Sequence, residues 1–308
     1  MLEVRNISLE FDRPILKNVN FRIERGESIG IVGKSGEGKS SLLKIMSGQL
    51  TPQVGELWLE EKILPKANQL LLPEFPYIAI IHQHYQLDPY HTVIENIREK
   101  VLSLPKIQRD KWVNQLLKYF ELSHLANTKA HLISGGEQQR LSIARALAPR
   151  PKILLLDEPF GHLDRQTRNK IGQVVRKLVQ KEGMGLVFVS HEQEDILAWC
   201  DKVCFLQKGK LSPPEKTQKA YFETKNQSAA RLLGPVNVVK STHETLYFRP
   251  NEWAMTNENG IEVSEINCQF LGTHYYCEGK TFNGEKIVLY SQIPISKNIR
   301  IEIKKHGS

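Results

Sequence analysis

From Ile15 to Ile23 the apolar residues Val19, Phe21 and Ile23 alternate with polar ones, a period of two that predicts a half-buried strand. Arg25-Gly26-Glu27 then reads as a turn. Ile29 to Val32 is an unbroken short apolar run, the pattern of a strand buried on both faces. A glycine-rich segment follows, and "SSLLKIMSG" after it has helical spacing with a stop at Gly48. From about His91 to Pro149 the pattern is mostly helical; Val113, Leu116, Leu117 and Phe120 recur at helical intervals. Strand signals return at Ile153–Leu156 and Leu186–Val189. Strands interrupted by a helical insertion predict an α/β core carrying a separate α lobe.

The pattern changes after about residue 207. Pro213-Pro214 and five lysines between Lys208 and Lys225 mark a boundary. From about Val236 the chain reads as short strands, with Asn259-Gly260 and Asn283-Gly284 as hairpin turns. Ile299, Ile301 and Ile303 alternate with Arg300, Glu302 and Lys304. Several short strands in so few residues predict a small barrel or sandwich.

Composition adds limits rather than direction. The 308 residues suit two domains, and 40% hydrophobic with 25% charged residues is ordinary for a globular protein. No apolar run approaches bilayer-spanning length, and "MLEVRNISLEF" lacks the apolar stretch of a signal peptide. The four cysteines, Cys200, Cys204, Cys268 and Cys277, fit no zinc spacing, so free thiols in a reducing compartment are expected. A net charge of +8 admits nucleic acid or an anionic surface as partner. No Lys/Arg block interleaved with aromatics supports it, so the charge is taken as solvation.

The candidate chemistry sits where strands end. "GKSGEGKS", Gly33 to Ser40, matches the phosphate-loop pattern in full, between a predicted strand and a predicted helix. Its glycines, Gly33, Gly36 and Gly38, let backbone N–H groups reach phosphate oxygens. Lys39 supplies a point charge to the β- and γ-phosphates and Ser40 a hydroxyl to Mg2+. Lys34, Ser35, Glu37 and Ser41 complete the stretch that lines the nucleotide. "ILLLDEP" ends an apolar strand in two carboxylates. Asp157 is placed near Mg2+, through water, and Glu158 as the general base that orients or deprotonates the attacking water. Ser190-His191 ends another apolar strand, and His191 can contact the γ-phosphate. Gln83 follows the run Ile78 to Ile81 and can reach the metal or the attacking water; His82 and His84 flank it without an evident third metal ligand. "ISGGEQQR", Ile133 to Arg140, brings a second set of backbone N–H groups, at Ser134, Gly135 and Gly136, suited to an anion.

In this order the segments resemble an ATP-binding cassette (ABC) transporter ATPase over residues 1 to about 212. By that resemblance Gly33–Ser40 is the Walker A loop, Gln83 the Q-loop glutamine, and Ser134-Gly135-Gly136-Glu137 the ABC signature. Ile153–Glu158 is the Walker B strand, Gly161-His162-Leu163-Asp164 the D-loop, and His191 the switch histidine. Phe11 stands where the family stacks an aromatic on adenine, a contact of ~1–3 kcal/mol per base. The signature begins with Ile133 instead of the usual leucine, and His162 is bulkier than the usual D-loop residue. Neither departure removes a catalytic group.

The resemblance implies an α/β P-loop NTPase fold, a RecA-like core plus a helical subdomain at about 88–150. It also implies a linker at 213–235 and a small all-β C-terminal domain at 236–308. "SAARLLGPVNVV" resembles the segment that leads into the TOBE (OB-like) domain of importer ATPases, and "YFRPNEWAM" and "QFLGTHYYCEG" its arginine-proline strand and its next strand. The cofactors implied are ATP and Mg2+. The partners implied are a second copy of the chain, head to tail, so that Ser134–Gly136 of one subunit close on the nucleotide of the other. Beyond it come integral membrane permease subunits at the cytoplasmic face of the membrane and, indirectly, a periplasmic or extracellular solute-binding protein; no nucleic acid is expected. The alternative is a soluble ABC ATPase acting on nucleic acid or ribosomes, which usually carries two cassettes or a coiled-coil insertion, neither present here. An exporter ATPase would usually lack the TOBE-like tail, and a nucleotide kinase leaves "ISGGEQQR" unexplained.

Overall fold

The computed structural model describes residues 1–70, 74–82, 86–161, 163–190, 192–224, 226–240, 245–258 and 260–304. They form two compact units, Met1–Thr217 and Gln218–Ser308.

The first unit opens with β1 (Leu2–Glu10) and β2 (Pro14–Ile23), antiparallel, with Val4 opposite Phe21 and Ile7 opposite Val19. Next come β3 (Ser28–Val32), α1 (Lys39–Ser47), β4 (Val54–Leu59) and β5 (Lys62–Ile63). β6 (Ile78–Ile81) leads into the helical lobe of α2 (Val93–Arg98), α3 (Lys106–Tyr119) and α4 (Gly135–Leu147). The chain returns through β7 (Ile153–Asp157), α5 (Arg165–Glu182), β8 (Gly185–Val189), α6 (Gln193–Trp199) and β9 (Lys202–Gln207). Two short strands, β10 (Lys210–Leu211) and β11 (Glu215–Lys216), finish it.

Two sheets result. One is antiparallel, in the order β2-β1-β4-β5; the other runs β10-β9-β3-β8-β7-β6, with β11 also on β9. Within the second, β6, β7, β8, β3 and β9 are mutually parallel. The hydrophobic pattern explains the difference. β2 alternates buried and exposed residues, as a one-sided sheet requires, whereas β3 and β8 are buried at every position. A shared core joins Val4, Phe21 and Leu57 of the first sheet, Leu42 and Met46 of α1, and Ile31, Leu155 and Val187 of the second. Each such side chain contributes about 1.5–3 kcal/mol on burial. Helix α1 ends at Gly48, which takes a left-handed φ of 83° and donates its N–H to Ile45.

In the second unit α7 (Thr217–Glu223) opens at the division and α8 (Gln227–Leu232) follows. Strands β12 (Asn237–Lys240) and β13 (Thr245–Phe248) form a two-stranded sheet. Strands β14 (Trp253–Met255), β15 (Ile261–Phe270), β16 (Tyr275–Thr281), β17 (Lys286–Ser291) and β18 (Ile299–Ile303) form a five-stranded one, ordered β14-β18-β15-β16-β17. This is a small all-β domain of OB-like character with its own core around Phe248, Val263, Ile287, Leu289 and Ile301. Arg249 lies 1% exposed inside it. Its guanidinium donates to the carbonyls of Tyr221, Ala230, Gly234 and Pro235, and it lies 4.0 Å over the Tyr221 ring. A buried cation needs such partners, and here they fasten the α7–α8 segment to the strands.

Three sequence-based expectations change. Asn283-Gly284 turns between β16 and β17, with Gly284 at φ 79° and its N–H on Thr281. Gly260, however, does not close a hairpin, because β18 lies between β14 and β15 and pairs with both. A Cβ on Gly260 would come within 2.7 Å of the Ile301 carbonyl oxygen, so glycine serves a close approach to β18; Asn259 lies outside the described residues. "QFLGTHYYCEG" is not one strand but the end of β15, a tight turn in which the Leu271 N–H meets the His274 carbonyl, and the start of β16. That turn places Cys268 directly opposite Cys277, where they form a disulfide. The expectation of four free thiols therefore holds only for Cys200 and Cys204, both buried.

Candidate functional site

Because β3, β7 and β8 are parallel neighbours, their C-terminal ends share one edge of the sheet. Ligands of open α/β sheets bind at such edges. From β3 the chain passes into Gly33–Ser41, from β7 into Asp157-Glu158, and from β8 into Ser190. The parallel register places Asp157 beside Val189 and Leu156 beside Phe188. Three of the segments singled out in the sequence thus meet at one place. β6 delivers Ile81 and His82 to the same edge. Gln83, His84 and Tyr85, and likewise His191 and His162, lie outside the described residues.

The loop before α1 is shaped by its glycines. Gly38 has φ 101° and caps α1; a Cβ there would sit 2.8 Å from Ile15 Cγ2. A Cβ on Gly33 would approach the Leu206 carbonyl oxygen at 2.5 Å. Lys39 is only 6% exposed, and its Nζ donates to the Gly33 and Lys34 carbonyls at 2.8 and 2.9 Å. Burial pulls the Lys39 ammonium below its ordinary value, while the carboxylates of Glu158, Glu37 and Asp157 pull the other way. Lys39 is therefore held within the field of both acids at the end of β7. Glu37 accepts from the Lys34 N–H at 3.0 Å and helps to close the loop. Lys34, Ser35, Gly36 and Ser40 are exposed.

Gly38→Ala should weaken nucleotide binding. An L side chain at φ 101° costs about 1–3 kcal/mol, and a loss of about 1.4 kcal/mol is tenfold in affinity. Titration with a fluorescent ATP analogue measures this; an affinity equal to wild type means that the loop does not hold the phosphates.

Glu158 also has a positive φ, 52°, and its N–H donates to the Val189 carbonyl at 2.9 Å. A glutamate in the left-handed region is strained, and such strain concentrates at functional sites. Phe11, between β1 and β2, is 62% exposed. The ring is therefore available for stacking.

Ser134 opens α4 as its N-cap. Its hydroxyl and N–H both donate to the Glu137 carboxylate, at 2.8 and 2.7 Å, and the Glu137 N–H returns to the hydroxyl at 3.4 Å. Burial works against ionisation of Glu137, but the Ser134 hydroxyl and N–H, with Arg140 and His124, hold its carboxyl below the usual range. Glu137 is thus engaged in capping, and the exposed Gly135 and half-buried Gly136 present the helix N-terminus. Asp164 caps α5, accepting from the N–H groups of Gln166 and Thr167 at 3.0 Å each.

Some residues that shape the region carried no motif. Asn96, fully buried, donates to the carbonyls of Asp88, His91 and Thr92 and accepts from the Asp88 N–H. It sets the loop that enters α2; the nearby Thr92–Glu95 capping pair was the signal available. Arg145 of α4 donates to the carbonyl of Gln86 and to Glu99, the latter at 2.5 Å. It borders a groove of roughly 520 Å³ between β6 and α4, lined also by Phe75, Ile80, His82 and Pro149. His82 Nε2 lies 2.9 Å from Gln49 Nε2. Among the described residues no His, Cys, Asp and Glu cluster suited to a resident metal occurs.

The donor set at the strand edge suits a nucleotide with Mg2+: a glycine cradle with no room for a side chain at Gly33 or Gly38, a buried ammonium, an exposed serine hydroxyl and hard carboxylate oxygens. Comparison with known proteins agrees. Residues 16–161 match the ABC transporter family model. The chain is 35% identical over 240 residues to the glucose import ATP-binding protein GlcV of Saccharolobus solfataricus, covering 76% of this chain and 68% of that protein. It is 32% identical over 285 residues to the spermidine/putrescine import ATP-binding protein PotA of Clostridium novyi, covering 92% and 76%. A dimeric structure of a post-hydrolysis state of the ATP-binding cassette MJ0796 bound to ADP and Pi superposes with a TM-score of 0.63 at 32% identity, covering 70% of this chain and 99% of that one. The chain belongs to the ABC transporter family, among its importer-type ATPases.

Proposed function

We propose that this chain is the ATP-hydrolysing subunit of an importer of a small solute, an ion, oxyanion, polyamine or sugar, and that it works as a head-to-tail homodimer. The observation that carries this reading is the convergence of Gly33–Ser41 with Asp157 and Glu158 on one sheet edge, with Lys39 in the field of both acids. No described helix is long and apolar enough to cross a membrane, which accords with a peripheral subunit on membrane-spanning partners at the cytoplasmic face.

In this reading the backbone of Gly33–Ser41 and the Lys39 ammonium bind the phosphates, and Phe11 stacks on adenine. The Ser40 hydroxyl, Asp157 and Gln83 are the residues that would hold Mg2+, which when bound neutralises phosphate charge and draws electron density from the bond that breaks. Glu158 accepts a proton from the attacking water and fixes its orientation. His191 contacts the γ-phosphate. Ser134, Gly135 and Gly136 reach the γ-phosphate held by the partner subunit, with Glu137 orienting the Ser134 hydroxyl and Asp164 shaping the segment that faces the partner. ATP binds the closed dimer better than the open one and so drives closure through that difference. The groove beside β6 and α4 is where a helix of a permease would dock, because Arg145 connects α4, which starts at Ser134, to Gln86 just after Gln83.

The test is specific ATPase activity against protein concentration. A composite site needs two chains, so activity per chain should fall as the protein is diluted below its dimerisation range. A constant activity per chain where only monomers remain overturns the reading.

A further inference from the structure

Asp195 lies in α6, 4% exposed, and belongs to none of the motifs. Its carboxylate accepts from the Ser190 hydroxyl at 3.3 Å. Ser190 also accepts from the Glu192 N–H at 3.0 Å, and the Asp195 N–H donates to the Glu192 carbonyl at 3.2 Å. Ser190 and Glu192, which follow β8, are therefore both tied to Asp195. Asp195 and Glu192 are tied to α5 as well. Arg168 Nη1 lies 4.0 Å from Asp195 and 3.9 Å from Glu192, while Arg165 meets Glu194 at 2.9 Å. Arg168 stands one turn into α5, its N–H on the carbonyl of the N-cap Asp164. On the other side Ser190 adjoins the acids of β7, since the Glu158 N–H rests on Val189, the residue before it.

We propose that Asp195 is a positioning residue for ATP turnover, its ionised carboxylate holding Ser190 and Glu192 against the start of α5 through Ser190 and Arg168. From the preceding reading the proposal takes only that these residues face the nucleotide. The arrangement joins two segments of different duty: Ser190 and Glu192, at the chain's own phosphate site, and the Asp164 end of α5, assigned to the partner-facing side. A shift at either end is passed to the other through one buried carboxylate.

Asp195 is ionised at a cost. Burial pushes its carboxyl up to about 6, against the pull of Arg168; the Ser190 hydroxyl also favours the anion, while Glu192 and Glu194 on its own turn oppose it. The buried Cys200 thiol, itself pushed far up by burial, faces it as a neutral group. Two opposite pH trends follow. Folding raises the Asp195 pKa, so its contribution to stability is fully present below the unfolded value and is lost as pH rises through about 6. The tie needs the anion, so its contribution to turnover is lost as pH falls through about 6.

Asp195→Asn keeps the shape and removes the charge. At pH 7.5 it should lower kcat by roughly ten- to hundredfold, the scale of a misplaced reacting group. KM for ATP should stay within about twofold, and the acid limb of the kcat profile between pH 5 and 7 should flatten. The melting temperature should rise, which a residue needed only for folding would not allow. Asp195→Glu should recover part of kcat and restore an acid limb. Ser190→Ala, which buries no new polar group, should reproduce the kcat loss, and the double variant should lose no more than either single one. A wild-type kcat with an unchanged acid limb in Asp195→Asn overturns the proposal, as does a wild-type kcat in Ser190→Ala. His191→Ala separates the two readings. If it turns over at the wild-type rate while Asp195→Asn is slow, His191 is not the switch residue and the tie stands; if His191→Ala is slow while Asp195→Asn is normal, the tie falls and the switch reading stands.

Discussion

Glu158→Gln should bind ATP with nearly wild-type affinity, turn it over at least about a hundredfold more slowly, and accumulate as an ATP-bound dimer. A positioned general base is worth about 10²–10⁴-fold, and glutamine keeps the size and one acceptor oxygen of glutamate but takes no proton. Binding should survive because the phosphates are held elsewhere, by the Gly33–Ser41 backbone and by Lys39. The loop that carries Lys39 is closed by Glu37 and its glycines. The backbone at position 158 has φ 52° and is fixed by its N–H on Val189, so the exchange leaves the strained turn as it is. Dimer accumulation follows if closure depends on ATP and reopening on its hydrolysis. Size-exclusion chromatography with and without ATP, beside a steady-state phosphate-release assay, reads both quantities. Hydrolysis at the wild-type rate removes Glu158 from the role of base; slow hydrolysis without an ATP-dependent dimer keeps the base and rejects closure.

Much of this site was legible because its parts are local. An apolar run of four or five residues, a glycine loop and a helix ended by Gly48 describe β3, the loop and α1 without any long-range knowledge. The paired acids of β7 and Ser190 after β8 are equally local. That they meet follows from parallel pairing, which an alternation of strands and helices implies. What escaped was set by register and by packing between distant segments. Asn259-Gly260 has the composition of a hairpin turn, yet the strands on either side are separated by β18, contributed from the end of the chain. The turn at Leu271–His274 has no Asn-Gly or Asp-Gly signal, so the segment read as one strand and the facing of Cys268 and Cys277 stayed hidden. Asp195 sits in "HEQEDILAW", where no local pattern marks a buried carboxylate; it is buried, with Arg168 of α5 4.0 Å away.

Ser134→Arg should abolish ATP-dependent dimerisation and lower kcat by at least about a hundredfold, the scale of losing a preorganised donor to a developing anion, while leaving the affinity of the single chain for ATP unchanged. Two effects add. The first is local: Ser134 caps α4 with a hydroxyl that Glu137 orients, and loss of an N-cap serine costs about 0.5–2 kcal/mol of helix stability. That cost alone would slow turnover little, because α4 is anchored further along by Leu141, Ile143, Ala144 and Leu147, all buried. The second effect is across the seam. Gly135 and Gly136 leave the helix N-terminus bare, and an arginine in place of Ser134 fills the approach with a long side chain where a neighbour's γ-phosphate has to come within hydrogen-bond distance. Ser134→Ala separates the two, since it removes the cap and the hydroxyl without adding bulk. It should keep a measurable ATP-dependent dimer and lose less activity than Ser134→Arg. A Ser134→Arg protein that dimerises with ATP and hydrolyses it normally would place the signature outside the reaction chamber, and a second anion-binding helix end in this chain would then need another ligand.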